Sequence, residues 1–169
     1  FELLDAYGPL EMFGALGDAI EIVTIAEHAG PVSSSAGPKT IADYAFNNAP
    51  ELDLILLPGG IGTIPELNNE AMLDFLKSRG PKSQITMSVC TGSALLAKAG
   101  LLDGLAATSN KMFFDLARSQ NDQVQWQESA RWVDAGRYVT SSGVSAGTDM
   151  ALAVIQRLFG AEAAQNVVN

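Results

Sequence analysis

Apolar residues in this 169-residue chain gather in short runs of two kinds. The first kind is continuous and rich in branched aliphatics: IEIVTIAE (20–27), DLILLPGG (53–60) and QITMSV (84–89). Unbroken runs of that length, the second stopped by Pro-Gly-Gly, predict strands buried on both faces, as in a parallel sheet. The second kind recurs at helical spacing. PELNNEAMLDFLKSRG (65–80) carries Leu67, Met72, Phe75 and Leu76 as an apolar stripe, with Pro65 near its start and Gly80 just past its end. TGSALLAKAG (91–100), stopped by Gly100, and NKMFFDLARSQ (110–120) predict two further helices. SAGTDMALAVIQRLFG (145–160) is apolar almost all round, which marks a largely buried helix. AATS (106–109) predicts a short strand, and SARWVDAGRYVTSSG (129–143) two strands turning around Asp134-Ala135-Gly136. At the amino end Gly8-Pro9 predicts a helix start, with Pro9 near its first position, and EHAGPVSSSAG (27–37) reads as a loop.

Strands alternating with helices predict one α/β domain over 1–169, a three-layer α/β/α sandwich around a mainly parallel sheet. The length suits a single core, and no repeat, linker or low-complexity stretch divides it. A doubly wound sheet ordinarily opens on a strand, and none precedes the first helix.

Composition narrows the function classes. A formal charge of −9 argues against a nucleic-acid or anionic-membrane surface, since phosphates would be repelled. No apolar run approaches the about 18 residues of a membrane span. One cysteine forms no internal disulfide, and with one histidine it builds no zinc cage, so no metal site is expected. A reducing, cytoplasmic compartment is the expectation.

Candidate chemistry centres on Cys90, in ITMSVCTGSALLAKAGLLDG (85–104). It sits where a strand gives way to a helix, and ligands of open α/β sheets lie at such carboxyl ends. SVCTG resembles the G-x-S-x-G nucleophile elbow, with Ser88 at the first glycine. The helix start is expected to favour the thiolate. A buried structural cysteine is the alternative reading of the same position. LLPGGIGT (56–63) brings a second strand end to the same crevice, where the N–H groups of Gly60 and Thr91 would form an oxyanion hole.

DLILLPGGIGT, SVCTGSALLAKAGLLDGLAAT and VTSSGVSAGTDMALAVIQRLFG, in that order, resemble the ThiJ/PfpI superfamily over nearly the whole chain. The resemblance implies the class I glutamine amidotransferase-like fold, with a flavodoxin-like sheet. Within the superfamily the likeness is nearest to isonitrile hydratases and to the sensor-like domains of AraC-type regulators. Those carry an aspartate in an LD…GP motif, matched here by LLDAYGP (3–9), so Asp5 is implied to meet Cys90 and manage protons. Its alternative role is a helix cap. Thr91 joins Cys90 and Asp5 as a catalytic residue, and Gly59, Ile61, Asn110, Gly143 and Val144 are implied to line the pocket. Asn110 stands where many members have a histidine, which removes the base of any Cys-His chemistry. His28, alone in its loop, is expected to be a bystander. Phe113, Phe114, Trp126 and Trp132 are expected to pack, with Phe113 or Phe114 walling a small pocket.

The implied reaction is hydration of an isonitrile to an N-substituted formamide, with a small-molecule substrate and no cofactor. A ligand- or redox-sensing domain is the other reading, although no helix-turn-helix lies within these residues. The resemblance also implies a strand ahead of residue 1, chain beyond Asn169, and a homodimer.

Overall fold

In the computed structural model, which describes residues 1–169, strands and helices alternate much as the apolar runs predict. Helix α1 (Leu3–Gly14) leads to β1 (Ile25–Ala26), the hairpin of β2 (Gly30–Ser33) and β3 (Lys39–Ala42), and β4 (Tyr44–Ala45). Then come β5 (Leu54–Leu57), α2 (Thr63–Glu66), α3 (Glu70–Arg79), β6 (Ile85–Val89), α4 (Gly92–Lys98) and β7 (Ala106–Ala107). The last third holds α5 (Phe114–Arg118), β8 (Gln125–Trp126), β9 (Trp132–Asp134), β10 (Tyr138–Ser141), α6 (Val144–Phe159) and α7 (Ala161–Val168).

The central sheet has the order β5-β6-β10-β9. β5, β6 and β10 run parallel, and β9 returns antiparallel to β10 through the turn read at Asp134–Gly136. All five residues of β6 are buried, which explains its unbroken apolar run. Its Ile85, Met87 and Val89 face one core with Phe13 of α1 and Met150, Ala151, Val154 and Ile155 of α6. Leu57 and Tyr138 join a second core with Leu76 of α3, Ala94–Ala97 of α4 and Ala117 of α5. Helices therefore cover both faces of the sheet, the three layers expected. Each fully buried leucine or isoleucine contributes about 1.5–3 kcal/mol.

Several elements differ from the sequence expectation. Pro9 lies inside α1, not at its start. Having no N–H, it leaves the Asp5 carbonyl without its helical partner. Close packing of α1 on α6 holds the helix together there: a Cβ on Gly8 would meet Thr148 Oγ1 at 2.7 Å, and one on Gly147 would meet Pro9 Cγ at 3.5 Å. The run 20–27 is a strand only at Ile25–Ala26. The loop read at 27–37 contains β2, paired with β3. The helix read over 65–80 is two, because Asn69 caps α3 by accepting the Ala71 N–H at 3.1 Å. The helix read from 110 starts at Phe114, since the Asn110 side chain ties the preceding turn.

The outer edge of β5 is unpaired, and β1 with β4 forms a separate parallel ladder. Between them runs an apolar slot of about 1130 Å³, lined among others by Tyr7, Leu10, Ile25, Leu54, Leu56 and Phe159. Residues 1 and 2 close its upper end. The Glu2 N–H donates to Gly59 O at 2.9 Å on one side, and the Ser35 N–H donates to Phe1 O at 2.8 Å on the other. No helix is long and apolar enough to cross a membrane.

Candidate active site

At the end of β6 the chain turns sharply. Cys90 has a φ of +59°, the one positive value at a residue other than glycine. An L-residue costs about 1–2 kcal/mol in that region, so the surroundings must enforce it. They do: the Cys90 N–H donates to Ser141 O at 3.0 Å, and the Cys90 carbonyl accepts from Ser109 Oγ at 3.1 Å. On the far side of the turn Gly92 presses on β5, where a Cβ would meet Leu57 O at 2.7 Å. The strand-to-helix elbow expected from SVCTG is present.

Asp5 reaches this elbow from α1 and is fully buried. Its Oδ2 accepts the Gly59 N–H at 3.1 Å, whereas Oδ1 has no hydrogen-bond partner. The neighbouring Cys90 thiol lowers its pKa as well, but burial outweighs that pull. Burial, opposed by the Gly59 N–H and reinforced by the Glu2 charge, pushes Asp5 up to about 6.

The sulfur is met by donors on its other sides. Asn110 Nδ2 donates to Cys90 Sγ at 3.1 Å. The Thr91 N–H and hydroxyl also favour the ionised sulfur. Burial is stronger, and the Asp5 charge adds to it, so the thiol is pushed up to about 11. The thiolate expected from the helix start is corrected on this point. α4 is only seven residues long, and its field is outweighed by the loss of water and a carboxylate neighbour.

The oxyanion-hole assignment is also corrected for Gly60. Its N–H, turned by a φ of +114°, donates to Thr91 Oγ1 at 3.0 Å. With the Gly59 N–H given to Asp5, neither glycine amide points at open space. Gly59 is instead where the chain passes closest to the elbow: a Cβ there would lie 2.6 Å from the Thr91 nitrogen. Thr91 Oγ1 also bonds Thr63 Oγ1 at 2.9 Å, tying the Pro-Gly-Gly turn to the elbow.

Cys90 is 7% exposed, and the slot beside β5 does not reach it. The thiol that the sequence reading placed in an open crevice is thus nearly buried. Of the other residues implied to line the pocket, Gly143 adjoins Asn110, with a Cβ there lying 3.3 Å from Nδ2, and Ile61 and Val144 are exposed. Phe113 is exposed, while Phe114 is buried edge-on against Trp126 in the core, so only Phe113 is free to wall the pocket. His28 lies exposed after β1, 4.0 Å from Glu27. Ser141 opens the segment 141–147, which the family likeness implied would run beside the thiol. Sequence reasoning missed Thr63, the first residue of α2, and Ser109, two residues past β7, whose one signal was a small hydroxyl close to a turn.

Residues 1–157 match the model of the DJ-1/PfpI family. The chain belongs to the DJ-1/PfpI family. It is 35% identical over 164 residues to an isonitrile hydratase of Pseudomonas putida, an alignment covering 97% of this chain and 70% of that protein. It is 30% identical over 162 residues to the HTH-type transcriptional regulator GbdR of Pseudomonas aeruginosa, covering 95% of this chain but only 44% of the regulator. Among solved structures, a ThiJ/PfpI family protein from Pseudomonas syringae superposes with a TM-score of 0.88 at 32% identity. The match covers 98% of this chain and 68% of that one. As a DJ-1/PfpI domain the chain thus has relatives that are an enzyme and relatives that are regulators.

Proposed function

We propose that this DJ-1/PfpI domain hydrates isonitriles to N-substituted formamides, with Cys90 as nucleophile and Asp5 as the proton carrier. The observation that carries the reading is the pairing of a strained cysteine with one buried carboxyl and no histidine. The likeness to an isonitrile hydratase supports it.

The chemistry needs one proton shared by two groups. Sulfur attacks the terminal carbon of R–N≡C as its proton passes to Asp5, and Asp5 delivers that proton to the same carbon. The product is a thioimidate, R–N=CH–S–Cys90. Asp5, again a carboxylate, takes a proton from water as the oxygen adds to the carbon, and that proton goes to nitrogen. The C–S bond then breaks, the hydroxyl proton returns to sulfur through Asp5, and R–NH–CHO leaves. Donors at Thr91 and Asn110 hold the sulfur while it carries charge.

Incubating the protein with a simple alkyl or aryl isonitrile and following formamide formation tests the reading. Formamide formed by the wild type and not by Cys90→Ala is the expected result; equal rates would overturn it. The likeness to GbdR favours a second reading, a ligand-sensing domain within a longer regulator. Saturable isonitrile binding without turnover would support that one.

A further inference from the structure

We propose that Asn110 is a catalytic residue, a fixed donor that stabilises negative charge on the Cys90 sulfur. The inference rests on Cys90 acting as the nucleophile, as proposed above, but not on the identity of the substrate.

Orientation carries the argument. The Asn110 Oδ1 accepts the N–H of Met112 at 2.9 Å and that of Phe113 at 3.1 Å. Two backbone donors can be met only by the oxygen, so the amide is held one way round, as in an Asx turn. The NH2 group is thereby aimed at the Cys90 sulfur, 3.1 Å away. An NH2 has no acceptor capacity, so it gains most from a sulfur that carries charge and gains little from a thiol. Asp5 acts in the opposite sense, since its carboxylate accepts a proton from sulfur and repels the thiolate. The sulfur therefore lies between an acceptor from α1 and a donor from the turn before α5. Glu2 adds its charge on the Asp5 side.

The geometry leaves little slack. Gly143 stands opposite, and a Cβ there would press on Nδ2 at 3.3 Å. A neutral donor in this place is useful because it does not titrate: it assists the sulfur equally at all pH values where the protein is folded, which an imidazole would not.

The test is Asn110→Asp, with Asn110→Leu beside it. Aspartate keeps an oxygen for the Met112 and Phe113 amides, so the turn is retained, but it puts an acceptor where the donor was. At pH 8 its carboxylate, held by those two amides, is ionised. Ultraviolet thiolate absorbance, titrated against a Cys90→Ser blank, reports the sulfur directly and needs no substrate. Thiolate formation is expected to move up by about one pH unit or more in Asn110→Asp and less in Asn110→Leu. Alkylation of Cys90 by iodoacetamide at pH 8 is expected to slow about 10- to 100-fold, as for loss of a hydrogen bond to a charged group. Wild-type titration and alkylation in both folded variants would overturn the inference. A wild type that fails to hydrate isonitriles, with these shifts intact, would overturn the proposed reaction and leave the role of Asn110 standing.

Discussion

The buried carboxyl of Asp5 on α1 lies close enough to the nearly buried thiol of Cys90, at the end of β6, for its charge to raise the thiol's pKa. Their charges are linked. Carboxylate with thiol and carboxylic acid with thiolate hold the same single proton and the same net charge. Moving the proton from sulfur to oxygen creates a nucleophile and an acid in one step. A free thiolate at rest is not required.

Asp5→Asn separates these roles. Asparagine can still accept the Gly59 N–H, so the fold is kept, but it cannot take a proton. Turnover is expected to fall about 10²- to 10⁴-fold. The thiolate, freed of its carboxylate neighbour, is expected to form at lower pH than in the wild type. Thiolate absorbance and formamide production in the same variant measure the two effects. A variant that loses neither turnover nor the high thiol pKa would refute the pairing.

The same substitution is expected to stabilise the protein, but only above mildly acidic pH. Asp5 is raised from 3.8 to about 6, so the native state holds this proton more tightly than the unfolded chain. Its contribution to stability is therefore lost as pH rises through that window. The gain from Asp5→Asn should be near zero at about pH 4 and reach up to about 3 kcal/mol at about pH 8. Urea unfolding at both values checks the difference, and an equal gain at both would contradict the assigned burial cost.

Turnover by the wild type is expected to follow a broad plateau. It should fall below about 6, where Asp5 is protonated and cannot accept from sulfur, and above about 11, where the pair has lost its shared proton. A pH profile of kcat/KM tests this, and the acid limb should vanish from the residual activity of Asp5→Asn.

Strain at the elbow gives a stability prediction independent of any substrate. Cys90→Ala keeps a side chain at a φ of +59°, whereas Cys90→Gly relieves it. The glycine variant is expected to be more stable than the alanine variant by roughly 1 kcal/mol, although both are inactive. Equal urea midpoints would mean that the turn is not strained.

What the sequence revealed and what it hid follow from the range of the forces involved. The elbow was legible because a β-run meets a stretch of small residues at Cys90, a local pattern. Asp5 was found only through the LLDAYGP likeness, since nothing local says that α1 brings its carboxyl to β6. Pro9 was misplaced because its propensity favours a helix start, and packing on Gly147 and Thr148 overrides it. Gly60 was misassigned because the direction of its N–H depends on a φ of +114° that the letter does not encode. The thiol's acidity was misjudged for a similar reason. The helix field is local, whereas burial and the Asp5 charge arise only in the folded protein.

The slot beside β5 leads to the last prediction. Strand edges that carry unpaired amides and carbonyls next to apolar walls favour an added strand. Phe1 and Glu2 already lie across the slot's upper end, bonded to Ser35 on one side and Gly59 on the other. Residues joined ahead of Phe1 would run from there along the open edge of β5, parallel to it. About five or six residues, at roughly 3.3 Å each, would span it. A chain extended by about six apolar, β-branched residues is therefore expected to melt several degrees higher than residues 1–169 alone. Hydrogen exchange should show new protection at Leu54–Leu57. An extension with alternating aspartates supplies the control, because it cannot enter an apolar slot. If both extensions leave the melting temperature and the β5 amides unchanged, the slot does not accept a strand.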